Sequence, residues 1–148
     1  MASERGVTVV ELIMVLAILA VGIGAVTPSV GSILPAIRAH GATVDLYGAI
    51  HLTKSRARAT GLMHALVLAP DGRSFRIVED PAGAARTVIG PEALVDGAIA
   101  TTNATIRFSP KGFAVPFGTI TVRADGEVRR LIVNILGRVR VASGEPPN

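Results

Sequence analysis

Apolar and polar positions follow three regimes along this chain. Over residues 7–26 the run is almost wholly apolar, with Glu11 its one charged side chain. About 20 such residues, rising about 1.5 Å each, span the hydrocarbon core of a bilayer, so the run predicts a membrane helix. A secretory signal peptide would carry basic residues ahead of a shorter apolar core and a small-residue cleavage site after it, whereas this run is long and ends at Thr27-Pro28. Gly22, Gly24 and Pro28 loosen its outer end, since glycine costs about 1 kcal/mol and proline about 3 kcal/mol in a helix interior. A helix break is expected at Pro28, with residues 28–35 as a juxtamembrane stretch. Over residues 36–60 the period is helical again. Leu46, Ile50, Thr53 and Ala57 fall on one face and Tyr47, His51, Lys54 and Arg58 on the next, the pattern of an amphipathic helix with a core side.

Beyond Gly61 the period shortens to that of strands. Residues 63–69 and 74–79 are β-prone runs joined by Pro70-Asp71-Gly72-Arg73, which has proline and glycine where a hairpin turn wants them. Residues 81–97, rich in Ala, Gly and Pro, read as an irregular connection with one short strand at 87–89. Strands are expected at 105–109, 118–123, 127–135 and 138–142, with turns at Ser109-Pro110-Lys111-Gly112 and Ala124-Asp125-Gly126. One long helix followed by short antiparallel strands is an α+β architecture. The organisation expected is a transmembrane helix over 7–27, juxtamembrane and amphipathic helix over 28–62, a β-domain over 63–143 and a disordered tail over 144–148.

Composition sharpens this picture in three ways. The 148 residues hold one modest folded unit plus an appendage rather than a multi-domain enzyme. Cysteine is absent, so neither a disulfide scaffold nor a thiolate metal site is available, and stability must come from the core. The formal charge is +4, and from residue 106 onward seven Lys/Arg stand against three Asp/Glu, so the basic excess sits in the last third.

The carboxylate at Glu11 needs compensation. A central acidic residue in a membrane helix costs roughly 2.5–3.5 kcal/mol on insertion scales. In the segment Arg5-Gly6-Val7-Thr8-Val9-Val10-Glu11-Leu12, cleavage after Gly6 would create an α-amino group four residues before Glu11. That ammonium could pair with the carboxylate of a neighbouring subunit. The segment resembles the prepilin signal of type IV pilins and type II secretion pseudopilins. The resemblance implies a leader over residues 1–6, a membrane-embedded prepilin peptidase that cuts after Gly6 and methylates Val7, and a role for Glu11 in subunit registry. Val7 departs from the family's usual phenylalanine. Pro28 falls where many members carry a helix-kinking proline.

Further along, Pro-Asp-Gly, Phe-Ser-Pro-Lys-Gly, Gly-Thr-Ile-Thr-Val and Gly-Arg-Val-Arg together resemble the GspH/FimT branch of that superfamily. A pilin-like fold is implied. The C-terminal cysteine pair usual in long-chain major pilins is missing, which favours a minor component.

Site chemistry is sparse. His40, His51 and His64 lack metal-ligand companions and read as surface or interface residues. Ser55 and Ser74 have no nucleophile-elbow context, and Glu79-Asp80 before Pro81 reads as a turn rather than an acid–base dyad. No catalytic residue, metal or cofactor is expected. In the Gly137-Arg138-Val139-Arg140 motif, strand alternation would put Arg138 and Arg140 on one side, with Arg129 and Arg130 adding charge on the preceding strand. Such guanidinium forks suit bidentate phosphate contact. In FimT-like minor pilins this motif is associated with DNA binding. An aromatic content of 3% argues against base stacking. The bland alternative is a solvated edge strand whose charge discourages sheet-to-sheet aggregation.

Taken together, the resemblance implies a minor pseudopilin of a type II secretion system, in the bacterial inner membrane with its C-terminal domain periplasmic. Its partners would be other pseudopilins or pilins through the N-terminal helix, the prepilin peptidase, the membrane and secreted cargo. The alternative is a FimT-like minor pilin that binds DNA for natural transformation.

Overall fold

The computed structural model describes residues 8–95 and 97–144, with side chains for all of these except 22–33. The expected leader over residues 1–6 with Gly6, the expected first mature residue Val7, and residues 145–148 lie outside the described residues. The chain forms two compact units, Met1–Leu34 and Pro35–Asn148.

A single helix, α1 (Val9–Thr60), contributes to both units. Thr8 opens it: the Glu11 backbone N–H donates to Thr8 Oγ1 (3.3 Å), satisfying one of the orphan donors of the first turn. The helix continues through Pro28 and over 28–35, the segment expected from sequence to be a separate juxtamembrane stretch. One missing N–H is a local loss within 52 helical residues. In the first unit the described side chains over 8–21 are all exposed, and apart from Thr8 and Glu11 all of them are apolar. Among the described residues no helix is long and apolar enough to cross a membrane. The apolar run of 7–26 is described at side-chain level only over 8–21.

In the second unit, the expected core face of α1 is buried: Leu46, Ile50, Thr53 and Ala57 are all at 0% exposure. Ala39, Ala42 and Ala49 extend it. The buried hydroxyls of Thr43 and Thr53 donate to the carbonyls four residues back, Ala39 O (2.5 Å) and Ala49 O (2.7 Å), so neither is an unpaired polar group in the core.

Eight strands follow: β1 (His64–Leu68), β2 (Ser74–Glu79), β3 (Arg86–Ala93), β4 (Ala98–Thr102), β5 (Ile106–Phe108), β6 (Gly118–Ala124), β7 (Glu127–Val133) and β8 (Val139–Ser143). They form two four-stranded antiparallel sheets, ordered β3-β2-β1-β5 and β4-β6-β7-β8. Leu66 pairs with both Ile77 and Ile106 in the first sheet, and Ile120 pairs with Leu131 in the second. These residues join Leu46, Ile50 and Phe108 in one buried cluster.

The β1–β2 turn forms where the Pro-Asp-Gly sequence predicts it. Gly72 N donates to Ala69 O (2.9 Å), Asp71 Oδ1 accepts from Arg73 N (3.0 Å), and Gly72 O accepts from Ala100 N on β4 (2.8 Å), linking the two sheets. Two ties fasten the second sheet to α1. Arg38 pairs with Asp125 in the β6–β7 turn (2.8 Å), and Lys54 Nζ donates to Leu136 O (3.1 Å) and Gly137 O (2.8 Å) in the β7–β8 turn.

The strand pattern departs from the sequence expectation in three places. β3 is longer than 87–89 and runs on through Gly90-Pro91; it is an edge strand, where a proline costs no ladder bond. β4 falls just past the segment read as irregular, where no strand is expected from sequence, because its inward residues are Ala98 and Ala100, too small and too weakly β-prone to register as a strand. Asn134 to Gly137 form the β7–β8 turn rather than continuing β7, with Gly137 N donating to Asn134 O (2.8 Å).

Candidate interaction surface

The four arginines singled out in the sequence do not share one face. Residues paired across antiparallel strands lie on the same side of a sheet, and side chains alternate along each strand. Leu131 and Val133 are buried and pair with Val141 and Val139, which sets the inner face of the second sheet. Arg130, opposite Thr121 and Ala142, and Arg140, opposite Ile132, therefore lie on the outer face. Arg129 falls on the inner side with Val122 and Ser143, near Glu127 (3.9 Å).

Arg123, opposite Val128 and Ile99, joins the outer face together with Thr119, Thr121 and Thr101. Alternation along residues 118–124 carries that signal in the sequence, apart from the Gly-Arg-Val-Arg motif. Arg130 and these three threonines, with Thr102 and Asn103, line a shallow recess of about 410 Å³. Within it Arg130 Nε is shielded from solvent without a hydrogen-bond partner. Arg138 precedes β8; it is exposed, and its backbone N–H donates to Asn134 Oδ1 (2.9 Å).

The motif's glycine is a packing position. Gly137 has φ +65°, and a Cβ there would lie 2.7 Å from Gly112 O and 3.0 Å from both Lys54 Nζ and Phe108 Cε1. Burial, and then the neighbouring Arg58 and Arg138 guanidinium groups, hold the Lys54 ammonium below its ordinary value. Arg58, read from sequence as part of a solvated helix end, lies against Gly112, where a Cβ would collide with its guanidinium.

Among the histidines, His40 and His51 are exposed, and His51 rests on the Tyr47 ring with centroids 4.5 Å apart. His64 corrects the sequence reading: it is fully buried rather than a surface residue. It begins β1, a central strand, and sits between Glu79 and Phe108 on the inward side shared with Leu66. Its Nδ1 lies 3.2 Å from Leu62 O and its Nε2 3.6 Å from Glu79 Oε2, and Glu79 in turn pairs with Arg86 (3.3 Å). Glu11 is exposed at the helix start. Among the described residues no group of three or more His, Asp or Glu side chains is placed to hold a metal ion.

A sequence model of the family described as Type II transport protein GspH matches residues 42–137, from the buried face of α1 to the glycine of the β7–β8 turn. The chain belongs to the GspH family. As a member of it, the chain shares its fold with the type IV minor pilin FimU of Pseudomonas aeruginosa strain PAO1, at a TM-score of 0.57 and 16% identity over 70% of this chain and 87% of that one. It is likewise similar to the minor pseudopilin EpsH from the type 2 secretion system of Vibrio cholerae. One EpsH structure matches at a TM-score of 0.57 and 14% identity over 74% of this chain and 96% of that one. A second matches at 0.59 and 14% over 77% and 99%. No curated protein matches the chain in sequence. At these identities the likeness is one of fold, and it agrees with the expected pilin-like α+β architecture.

Proposed function

We propose that this GspH-family chain is a minor filament subunit, a pseudopilin or pilin, and specifically a minor pseudopilin of a type II secretion system. The observation that carries the reading is the family match across the folded unit, over residues 42–137. The N-terminal segment supports it, because an exposed helix whose side chains are apolar but for Thr8 and Glu11 needs lipid or neighbouring helices around it. In this reading the prepilin peptidase cuts after Gly6 and methylates Val7, and the helix anchors the protein in the inner membrane with the β-domain in the periplasm. Glu11 then accepts the terminal ammonium of an adjacent subunit, removing the cost of an isolated carboxylate among apolar side chains. Pro28 supplies a place for the helix to bend on assembly. The role is structural rather than catalytic.

Mass spectrometry of the native N-terminus tests processing: N-methylated Val7 is expected, and a mature chain that retains Met1 overturns the reading. Deleting the gene should leave secreted proteins trapped in the periplasm while DNA uptake continues; the reverse phenotype points to the second reading.

That second reading, a FimT-like minor pilin that binds DNA, is favoured by one arrangement. Arg123, Arg130 and Arg140 lie on the outer face of the second sheet beside three threonines. It requires salt-sensitive DNA retardation by the protein, lost when Arg138 and Arg140 become alanine. Absence of retardation at low salt dismisses it.

A further inference from the structure

Another exposed surface lies where three segments meet beside the last turns of α1. The loop between β5 and β6 turns Phe113, Val115 and Phe117 outward around a buried Ala114. Ala114 N donates to Ile135 O (2.9 Å), which brings the exposed Ile135 and Leu136 of the β7–β8 turn alongside. The loop is pinned by further bonds, Val115 N to Arg107 O (2.8 Å) and Ser109 N to Phe113 O (2.9 Å), so the backbone presents these side chains in a fixed array. Two of the four phenylalanines are spent here, Phe117 at 62% exposure, while Phe75 and Phe108 are core residues. Single exposed apolar residues are ordinary on a protein surface; five on one loop and the turn bonded to it mark a place where something binds.

The rim of this patch is cationic. Lys54 reaches the carbonyls of Leu136 and Gly137, Arg58 lies over Gly112, Lys111 sits in the same loop and Arg138 follows the turn. Among the described residues none of these four cations forms an ion pair. A nucleic acid would satisfy the cations but leave Val115, Ile135 and Leu136 uncovered. A neutral apolar surface would do the opposite. An aromatic and aliphatic centre within a basic margin has the anatomy of a protein-binding hot spot.

We infer that this face docks a polypeptide partner that offers an apolar side chain flanked by carboxylates. The inference does not depend on which filament the subunit serves.

The test uses the full chain in a phosphatidylcholine nanodisc and a fluorescent synthetic peptide of alternating Leu/Phe and Asp/Glu, with a control peptide in which Lys replaces the acids. The acidic peptide should bind, more weakly as salt rises, and the basic one should not. Phe117→Ser and Lys111→Glu should each weaken binding by about tenfold or more, while Arg76→Glu, on β2, leaves it unchanged. Thermal unfolding checks each variant, and Lys111→Glu, an exposed substitution, carries the test if Phe117→Ser does not fold. Equal binding of both peptides overturns the inference, as does wild-type affinity in both variants. It is also overturned if Phe117 and Lys111 instead govern binding to an oligothymidylate or to phosphatidylglycerol vesicles. Self-association abolished by Phe117→Ser would assign the face to a second copy and overturn it too.

Discussion

Gly137→Ala isolates what the glycine of the Gly-Arg-Val-Arg motif contributes. At φ +65° an added Cβ meets its own backbone, at a cost of roughly 1–2 kcal/mol. It also enters a space already closed by Gly112 O at 2.7 Å, which is backbone and cannot swing aside, and by the ring of the fully buried Phe108 at 3.0 Å. Overpacking of this kind costs about 1–3 kcal/mol. The sum, about 2–5 kcal/mol, is a large share of the roughly 5–15 kcal/mol that holds a domain folded.

Gly126→Ala is the control, because Gly126 also has positive φ (+92°) but a Cβ there meets nothing within 4 Å. It should show the strain cost alone. Equilibrium urea unfolding, followed by circular dichroism, reads both. With a slope of about 1–2 kcal/mol/M, the midpoint should fall by roughly 1–5 M for Gly137→Ala and by clearly less for Gly126→Ala. Equal shifts would refute the packing argument, and an unchanged midpoint for Gly137→Ala would refute the position's structural role altogether. A loss of DNA or partner binding in Gly137→Ala would then be read as damage to the fold, not to the arginines.

Glu11→Ala should leave membrane insertion intact but reduce incorporation into filaments, as measured by membrane fractionation and sheared-filament recovery; normal incorporation counts against the registry role. Phe108→Ala removes a ring from the centre of the core and should cost about 3–5 kcal/mol in the same urea assay. Lys54 gives a pH prediction. Its pKa is lowered in the folded state from 10.5, so the unfolded chain holds the proton over the interval between the two values. Stability should therefore rise with pH through the lowered pKa towards 10.5, and Lys54→Met should abolish that rise relative to wild type. A parallel pH dependence in both proteins would contradict the assignment.

Much of the fold was legible because periodicity reports burial directly. Leu46, Ile50, Thr53 and Ala57 are spaced for one helix face and all four are buried. The Pro-Asp-Gly turn forms where its residue types demand it. What escaped was decided by partners that a linear reading cannot see. Ala98 and Ala100 form a strand because β6 lies beside them, not because alanine favours strands. His64 is buried because two strands flank it. The site was legible only in part. Arg129 and Arg130 are adjacent, so a period of two had to send them to opposite faces, yet the charge run was read as one patch. The low aromatic content gives no sign that two of the four phenylalanines, Phe113 and Phe117, are exposed on one loop.

The two ties between α1 and the second sheet carry a mechanical consequence. Arg38 holds one end of the β6–β7–β8 ribbon and Lys54 holds the other, on the same helix and 16 residues apart. Sliding of the helix along the ribbon must therefore break an ion pair at one end and two carbonyl hydrogen bonds at the other. A helix fastened in this manner is held against sliding along the ribbon at both of its ends.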